Sequence, residues 1–244
     1  MLDIFSDSGV GILFLGLMIG MQHALEADHV AAVSSIAARQ NTLRKIVTHG
    51  AFWGVGHTVT LGLVAGFFVI LGLTFNKTLE NCIELIVGIM LMGIGGKLIF
   101  VIARERIHFH QHLHEDGTNH FHVHSHRYEK KPHNYGFHRH THTYKVPVRT
   151  IIVGMVHGLA GSAALLVLTA TTVHSVPLGL LYIFIFGIGS LMGMMALSAV
   201  IAVPITWSLK ALNFTNTTLQ VTIGTATIIL GTYVAFDNSK ALSI

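Results

Sequence analysis

The chain has 244 residues, of which 52% are hydrophobic and only 11% are charged, and its mean hydropathy is +0.64. Soluble domains carry about 25% charged residues, so the composition excludes an ordinary soluble protein and predicts an all-α polytopic membrane protein. The formal net charge of +4 resides in connecting segments rather than in a basic stripe interleaved with aromatics, which argues against nucleic acid as a partner. Cys82 is the single cysteine, so any metal must be held by imidazole, carboxylate or backbone oxygen.

Six apolar segments are long enough to cross a bilayer, which takes about 20 residues of helix. They lie at residues 9–37, 46–73, 82–103, 149–173, 177–208 and 217–236. The first would form a helix of roughly 43 Å at 1.5 Å per residue. We therefore expect it to tilt strongly or to break near the polar residues that interrupt it, since breaks at membrane depth are tolerated where they line a cavity.

The first segment contains the sequence HALEADH, which places His23, Glu26, Asp28 and His29 within an apolar run. Ionisable side chains at membrane depth are energetically expensive and usually mark an ion site or path. On an ideal helix His23, Glu26 and His29 share one face, whereas Asp28 points about 200° away from Glu26. Either the helix is distorted so that Asp28 enters the site, which we favour, or Asp28 orients an imidazole of a neighbouring element.

The second segment contributes His57, which lies among small residues in the sequence GVGHTVT. Small residues permit close approach of another helix. Alone, a midspan histidine is more often a packing residue than a ligand, but beside residues 23–29 we interpret His57 as a ligand. His49, two turns earlier, is a candidate for the ion path.

A polar connection at residues 104–147 contains twelve of the 18 histidines. Their alternation would place successive imidazoles on one face of an extended chain, where neighbouring pairs could share a divalent ion, and histidine-rich tracts of this kind are typical of metal binding. A pH-responsive linker is the alternative, because histidine titrates near neutral pH. The candidate residues for metal buffering are His108, His110, His112, His114, His120, His122, His124, His126, His138, His140 and His142, with His133 as the remaining member of the tract.

The two halves of the chain resemble each other at a spacing of 133 to 136 residues, although chance matching of glycine-rich helices is an alternative. Each half has three segments, an odd number, which predicts a 3+3 inverted repeat of six transmembrane helices, an architecture common in transporters. His157 in the fourth segment is a candidate for the ion path or a packing histidine. The predicted divisions of the chain are a first half at residues 1–103, the histidine-rich connection at 104–147 and a second half at 148–244. The matches between the two halves are residues 20–25 with 154–159, 54–56 with 187–189, and Gly88 and Gly95 with Gly224 and Gly231.

Lysine and arginine positions predict the orientation. Twelve lie in the first, third and fifth connections or beside them and two on the other side, so the positive-inside rule puts both termini outside and the histidine-rich loop in the cytoplasm. We expect a multi-pass protein of the cell (plasma) membrane.

The combination of H-x4-D-H at residues 23–29 with Gly-His-Thr-Val at residues 56–59 resembles the nickel/cobalt transporter superfamily. The variants HALEADHVAAV and HGLAGSAAL, the latter at 157–165, are similar to its six-helix, urease-accessory-like branch. The resemblance implies that the first motif selects and moves Ni2+ or Co2+ as a transported ligand, without a prosthetic cofactor. It is also compatible with a cytoplasmic metallochaperone as partner.

These observations predict a secondary transporter of divalent transition-metal ions, with Ni2+ or Co2+ first and uptake favoured over efflux. The expected ligands are His23, Asp28, His29 and His57, with Glu26 in or near the shell. The alternatives are a metal-binding accessory or sensor protein for nickel-enzyme maturation, or a zinc or iron transporter. We expect no enzymatic activity: an intramembrane zinc protease would need H-E-x-x-H, and this sequence has no such run.

Overall fold

The computed structural model describes residues 7–73, 76–104, 108–113, 119–124, 148–159, 175–210 and 213–242. Within these ranges the chain forms seven α-helices and one two-stranded hairpin. The helices are α1 (Asp7–His23), α2 (Ala27–Ala37), α3 (Leu43–Leu71), α4 (Lys77–Arg104), α5 (Val148–His157), α6 (Val176–Lys210) and α7 (Asn213–Leu242), and the strands are β1 (His108–Leu113) and β2 (Asn119–His124).

The helices are those of a membrane protein. Four of them, α3, α4, α6 and α7, are long and apolar enough to cross a bilayer, and α1 with α2 makes a fifth element that is bent by 55°. The predicted break of the first segment is therefore confirmed. The predicted fourth segment begins as α5, and its part from residue 160 to 173 lies outside the described residues, so four to five of the six predicted spans are observed.

Local sequence sets both ends of α3. Thr42 is extended, and its side chain accepts a hydrogen bond from the backbone N–H of Lys45 at 3.3 Å, which satisfies one of the amides left free at a helix start. At the other end Gly72 adopts φ 63°, a left-handed conformation, and its N–H is bonded to the carbonyls of Phe68 and Val69.

Glycines bring α1 against α6, and α5 against α3, with their backbones in contact. A Cβ added at any of four glycines would overlap a carbonyl oxygen of the facing helix, so no larger residue fits without moving a helix. The pairs are Gly20 with Phe186, Gly189 with Leu17, Gly154 with Trp53, and Gly56 with Ile151.

Helices α4 and α7 form a second close pair. A Cβ at Gly88 would lie 2.8 Å from the Gly231 carbonyl oxygen, and one at Gly231 would lie 2.7 Å from that of Gly88. Gly95 and Gly224 make the same reciprocal contact about two turns further along, at 2.7 and 3.3 Å. The two helices therefore cross with their backbones nearly touching over several turns.

The short helix α2 lies inside this arrangement, against α4, α6 and α7. Ser35 on α2 shares a hydrogen bond of 2.8 Å with Thr227 on α7, and both hydroxyls are buried. Large apolar side chains such as Leu63, Val200 and Trp207 are in contrast exposed on the outer surface, as lipid contact requires. The hydroxyls of Ser35 and Thr227 are thus directed inward, between α2 and α7.

The hairpin lies in the histidine-rich connection. Its antiparallel register opposes histidine to histidine at every second position, namely His108 with His124, His110 with His122, and His112 with His120. The candidate residues His114, His126, His138, His140 and His142, and also His133, lie outside the described residues.

Replacing Gly154 with alanine tests the close approach of α5 and α3. The added Cβ would overlap the Trp53 carbonyl oxygen, and we expect the protein to lose about 1–3 kcal/mol of stability, as overpacked cores do. Gly62→Ala is the matched control, because a Cβ there meets no described atom within 4 Å and removes the helix penalty of glycine, about 0.5–1 kcal/mol. Thermal unfolding in detergent measures the stability of both variants. Equal changes in stability would contradict the close contact of α5 with α3.

Candidate metal centre

The break in the first span positions the candidate site. Helix α1 ends at His23, the backbone N–H of Leu25 and Glu26 donate back to Gln22 and His23 at 2.9 and 3.1 Å, and α2 starts at Ala27. The bend brings the imidazoles of His23 and His29 edge to face, with ring centroids 4.3 Å apart. Both rings are buried.

Asp28 connects this break to α5. One carboxylate oxygen, Oδ1, accepts from the backbone N–H of His29 at 2.8 Å and lies 2.9 Å from His29 Nδ1. The other, Oδ2, lies 3.0 Å from Nε2 of His157, the last residue of α5. The Asp28 side chain thus bridges two imidazoles that belong to opposite halves of the chain.

His57 approaches from α3. Its Nε2 lies 3.2 Å from His23 Nε2, so at most one of these two nitrogens carries a proton, and both rings are buried. Glu26 sits at the edge: its Oε1 is 2.8 Å from His23 Nδ1, an ion-pair distance without hydrogen-bond geometry, and its side chain is 52% exposed.

The side chains form two groups with the composition of a metal site. His23, His29 and His57 make one, and Asp28, His29 and His157 make the other; within each group one ligand atom per residue lies within 4.8 Å of the others. Imidazole nitrogens and carboxylate oxygens bind divalent transition metals at about 2.0–2.2 Å. Small side-chain movements would therefore bring either group onto a single ion.

Two aromatic side chains enclose the imidazoles. Trp53, fully buried, has its ring centroid 5.3 Å from those of His29 and His157, and Phe186 lies 5.6 Å from His23. Several buried nitrogens lack a hydrogen-bond partner within the described ranges, although buried polar atoms are normally paired. They are His29 Nε2, His57 Nδ1, His157 Nδ1 and Trp53 Nε1.

The structure brings together His23, Asp28, His29 and His57, as expected from the sequence, and Asp28 enters through the distortion of the helix. The expectation that Glu26 lies on one helical face between His23 and His29 is wrong. It assumed an uninterrupted helix, whereas Glu26 is the extended residue that precedes α2.

Two histidines that the sequence left as candidates for the ion path have different positions. His157 belongs to the cluster, 3.2 Å from His29 Nδ1. His49 does not: its Nδ1 is 2.8 Å from the Thr150 hydroxyl, and it lines a small cavity with Ile46 and Trp53. That cavity lies beside the cluster, because Trp53 borders both.

Trp53 is the residue of this site that the sequence reasoning missed. It precedes His57 by four residues, and residues at that spacing share a face of a helix. This spacing was visible in the sequence, but an aromatic residue in an apolar span is usually interpreted as a packing residue.

Comparison with known proteins finds two that are similar in sequence to this chain. It is 34% identical over 215 residues to the urease accessory protein UreH of Bacillus sp. (strain TB-90), a match that covers 87% of this chain and 86% of that protein. It is 26% identical over 105 residues to the high-affinity nickel transport protein of Cryptococcus neoformans var. grubii, covering 43% of this chain and 21% of that protein. No protein-family profile and no solved structure matches the chain.

Replacing Asp28 with asparagine tests its bridging role in the absence of metal. The amide cannot accept from both imidazoles, so we expect a loss of about 1–3 kcal/mol of stability, as when a buried hydrogen-bonding group is left unpaired. Glu26→Gln, at a half-exposed carboxylate, should change stability by less than about 0.5 kcal/mol. Thermal unfolding with a chelator present measures both variants, and a larger effect at Glu26 would contradict the bridging geometry.

Proposed function

The chain belongs to the nickel/cobalt transporter superfamily, in the branch of the urease accessory protein UreH, and from this membership we propose that it is a secondary transporter of divalent transition-metal ions. Ni2+ is the first candidate for the transported ion and Co2+ the second. Uptake into the cytoplasm is the direction we favour, because a nickel enzyme needs a supply of its metal. Both relatives are named for transport or accessory roles, and we propose no enzymatic activity for this chain.

The observation that carries the proposal is the buried cluster of imidazoles and one carboxylate among membrane-spanning helices. Packing does not explain why four histidines and an aspartate meet where unpaired polar groups are unfavourable. We propose His23, Asp28, His29 and His57 as ligands of the transported ion, with Glu26 beside them at the edge of the cluster.

We further propose that the chain is a 3+3 inverted repeat of six spans, with halves at residues 1–103 and 148–244 joined by residues 104–147. The glycine contacts support it, because a shift of 133 or 134 residues turns the contact of Gly20 with Phe186 into that of Trp53 with Gly154. The same shift relates Gly189 with Leu17 to Gly56 with Ile151. Contacts that map onto each other in this way are expected of two halves related by a twofold axis.

The charge distribution supports an orientation with both termini outside the plasma membrane and residues 104–147 in the cytoplasm. His49 then lies on the cytoplasmic side of the cluster, and we propose it as a station on the ion path, next to the cavity it lines with Trp53. Transfer of the ion to a cytoplasmic metallochaperone belongs to the same proposal.

A second candidate function is a membrane accessory or sensor protein that binds nickel without carrying it. The name of the UreH relative favours this candidate, since it describes an accessory protein and not a transporter. Zinc or iron as the transported ion is a further alternative, because imidazole and carboxylate ligands follow the general affinity order of divalent metals and do not specify one.

The histidine-rich connection fits a role in buffering the ion on the cytoplasmic side. The register of the hairpin pairs histidine with histidine, and residues paired across an antiparallel ladder typically have Cα atoms about 4.5–5.5 Å apart. Two imidazoles at that spacing could share one divalent ion. We propose that each of the three cross-strand pairs is one weak buffering site.

Flux measurements test the transport proposal. In liposomes containing the purified protein we expect Ni2+ uptake that falls at least about tenfold in His23→Ala and in Asp28→Ala, because each removes a ligand. Ser198→Ala, a buried change on α6 outside the cluster, should leave flux unchanged. Apparent affinity should decline as the pH is lowered, because protons compete with the ion for imidazole and carboxylate.

Unchanged flux in both ligand variants would show that the site is assigned wrongly. Ni2+ binding without flux in the wild type would favour the accessory function. Competition by Co2+, Zn2+ and Fe2+ in the same assay identifies the preferred ion.

The register of the hairpin predicts an unusual pattern of metal capacity. Replacing the partners His110 and His122 with asparagine should remove one bound ion, since both belong to one pair. Replacing His110 and His120, which belong to different pairs, should remove two. Equilibrium dialysis of the full-length protein with Ni2+ measures the difference, and an equal loss in the two double variants would contradict the paired arrangement.

A further inference from the structure

We propose that the buried cluster holds its ion in either of two overlapping positions that share His29, and that the ion passes between them during transport. The first position is formed by three imidazoles, those of His23, His29 and His57. The second is formed by a carboxylate and two imidazoles, those of Asp28, His29 and His157. This inference rests on the proposed transport function and assigns His157 as a ligand.

The grouping of ligand atoms supports two positions instead of one. Two sets of three residues have ligand atoms within 4.8 Å of one another, and among the described residues His29 is the only member of both sets. The rings of His57 and His157, which belong to different sets, have centroids 6.1 Å apart. Two donor atoms on one ion with bonds of about 2.0–2.2 Å lie at most about 4.4 Å apart, so the grouping of donor atoms into two sets of three favours an ion held by one set or the other.

The chemistry of His29 makes the two positions alternatives. A neutral imidazole has one N–H and one nitrogen lone pair, so it binds one ion through one nitrogen. Its Nδ1 lies 2.9 Å from Asp28 Oδ1 and 3.2 Å from His157 Nε2, so this nitrogen faces the second position. We assign the buried and unpartnered Nε2 to the first position.

Asp28 then has a different role in each position. With the ion in the first, His29 Nδ1–H donates to Asp28 Oδ1, and the carboxylate orients the imidazole, as it does at many metal-binding histidines. With the ion in the second, Asp28 and His29 Nδ1 both bind the ion. On transfer the N–H bond at His29 Nδ1 breaks and one forms at its Nε2, and the N–H bond at His157 Nε2, which donates to Asp28 Oδ2, breaks while one forms at its Nδ1. Each ring keeps one proton, so the number of protons on the protein does not change.

Each position also receives one helix end. His23 is the last residue of α1 and His157 is the last residue of α5, and they are 134 residues apart, the spacing of the repeat. The carbonyl end of a helix favours a cation. Moving between the positions therefore takes the ion from the end of a helix in the first half to the equivalent end in the second half.

The experiment uses full-length protein in which the twelve loop histidines are asparagine, with Co2+ as the probe because its visible spectrum reports the ligands. We expect one Co2+ per chain. His57→Gln and His157→Gln should each retain one Co2+ with affinity at least about tenfold lower. The two variants should differ in spectrum, because His157→Gln leaves three imidazoles and His57→Gln leaves a carboxylate with two. Flux should fall at least tenfold in both, and Ser198→Ala should match the parent.

X-ray absorption of bound Ni2+ in the parent protein provides a readout that does not depend on the folding of a variant. A mixture of the two positions predicts an average of between two and three imidazoles per ion. Three imidazoles with no carboxylate, or five protein ligands at once, would overturn the proposal. So would two Co2+ per chain, or binding, spectrum and flux that are unchanged in His157→Gln.

His29→Gln separates this inference from the proposed function. It removes the shared ligand, and we expect it to abolish both Co2+ binding and flux. If it does so while His157→Gln behaves as the parent, only the second position is wrong. If His29→Gln leaves binding and flux intact, the transport site itself is wrong.

Discussion

The fold of the site depends on one interaction, the contact of the Asp28 carboxylate with the imidazoles of His29 and His157. The contact exists because the first span breaks after His23; on a continuous helix Asp28 would point away from the face that carries His23 and His29. The break interrupts the helical hydrogen-bond pattern at membrane depth, which is tolerated where the irregular backbone is buried in protein. The same feature thus ends α1, starts α2 and joins the two halves of the chain at its centre.

Glycine contacts allow this centre to be compact. Helices α1 and α5, which end at His23 and His157, each approach a neighbour through a glycine against a carbonyl oxygen. These contacts lie one turn before the two histidines, at Gly20 and Gly154. Side chains of ordinary size at these positions would separate the helices and move the imidazoles apart. The glycines that allow close packing of the helices are therefore also required for the geometry of the cluster.

Much of the architecture follows from hydropathy. The predicted segments 9–37, 46–73 and 177–208 agree closely with α1–α2, α3 and α6, because a bilayer demands long apolar runs. The sequence singled out His23, Asp28, His29 and His57 because ionisable residues are rare in such runs, and the structure places them close together. The position of Glu26 was wrong because the ideal helical angle does not hold across a break, and the participation of His157 was undecided because its partners are more than a hundred residues away in sequence.

The contacts of Asp28 also bear on how a charged group is kept between apolar helices. A bare carboxylate at membrane depth is unfavourable. Here the two carboxylate oxygens lie against two imidazoles and one backbone N–H, so neighbouring polar groups solvate the carboxylate in place of water. The contacts that fix the position of Asp28 are therefore also those that make its burial among apolar helices tolerable.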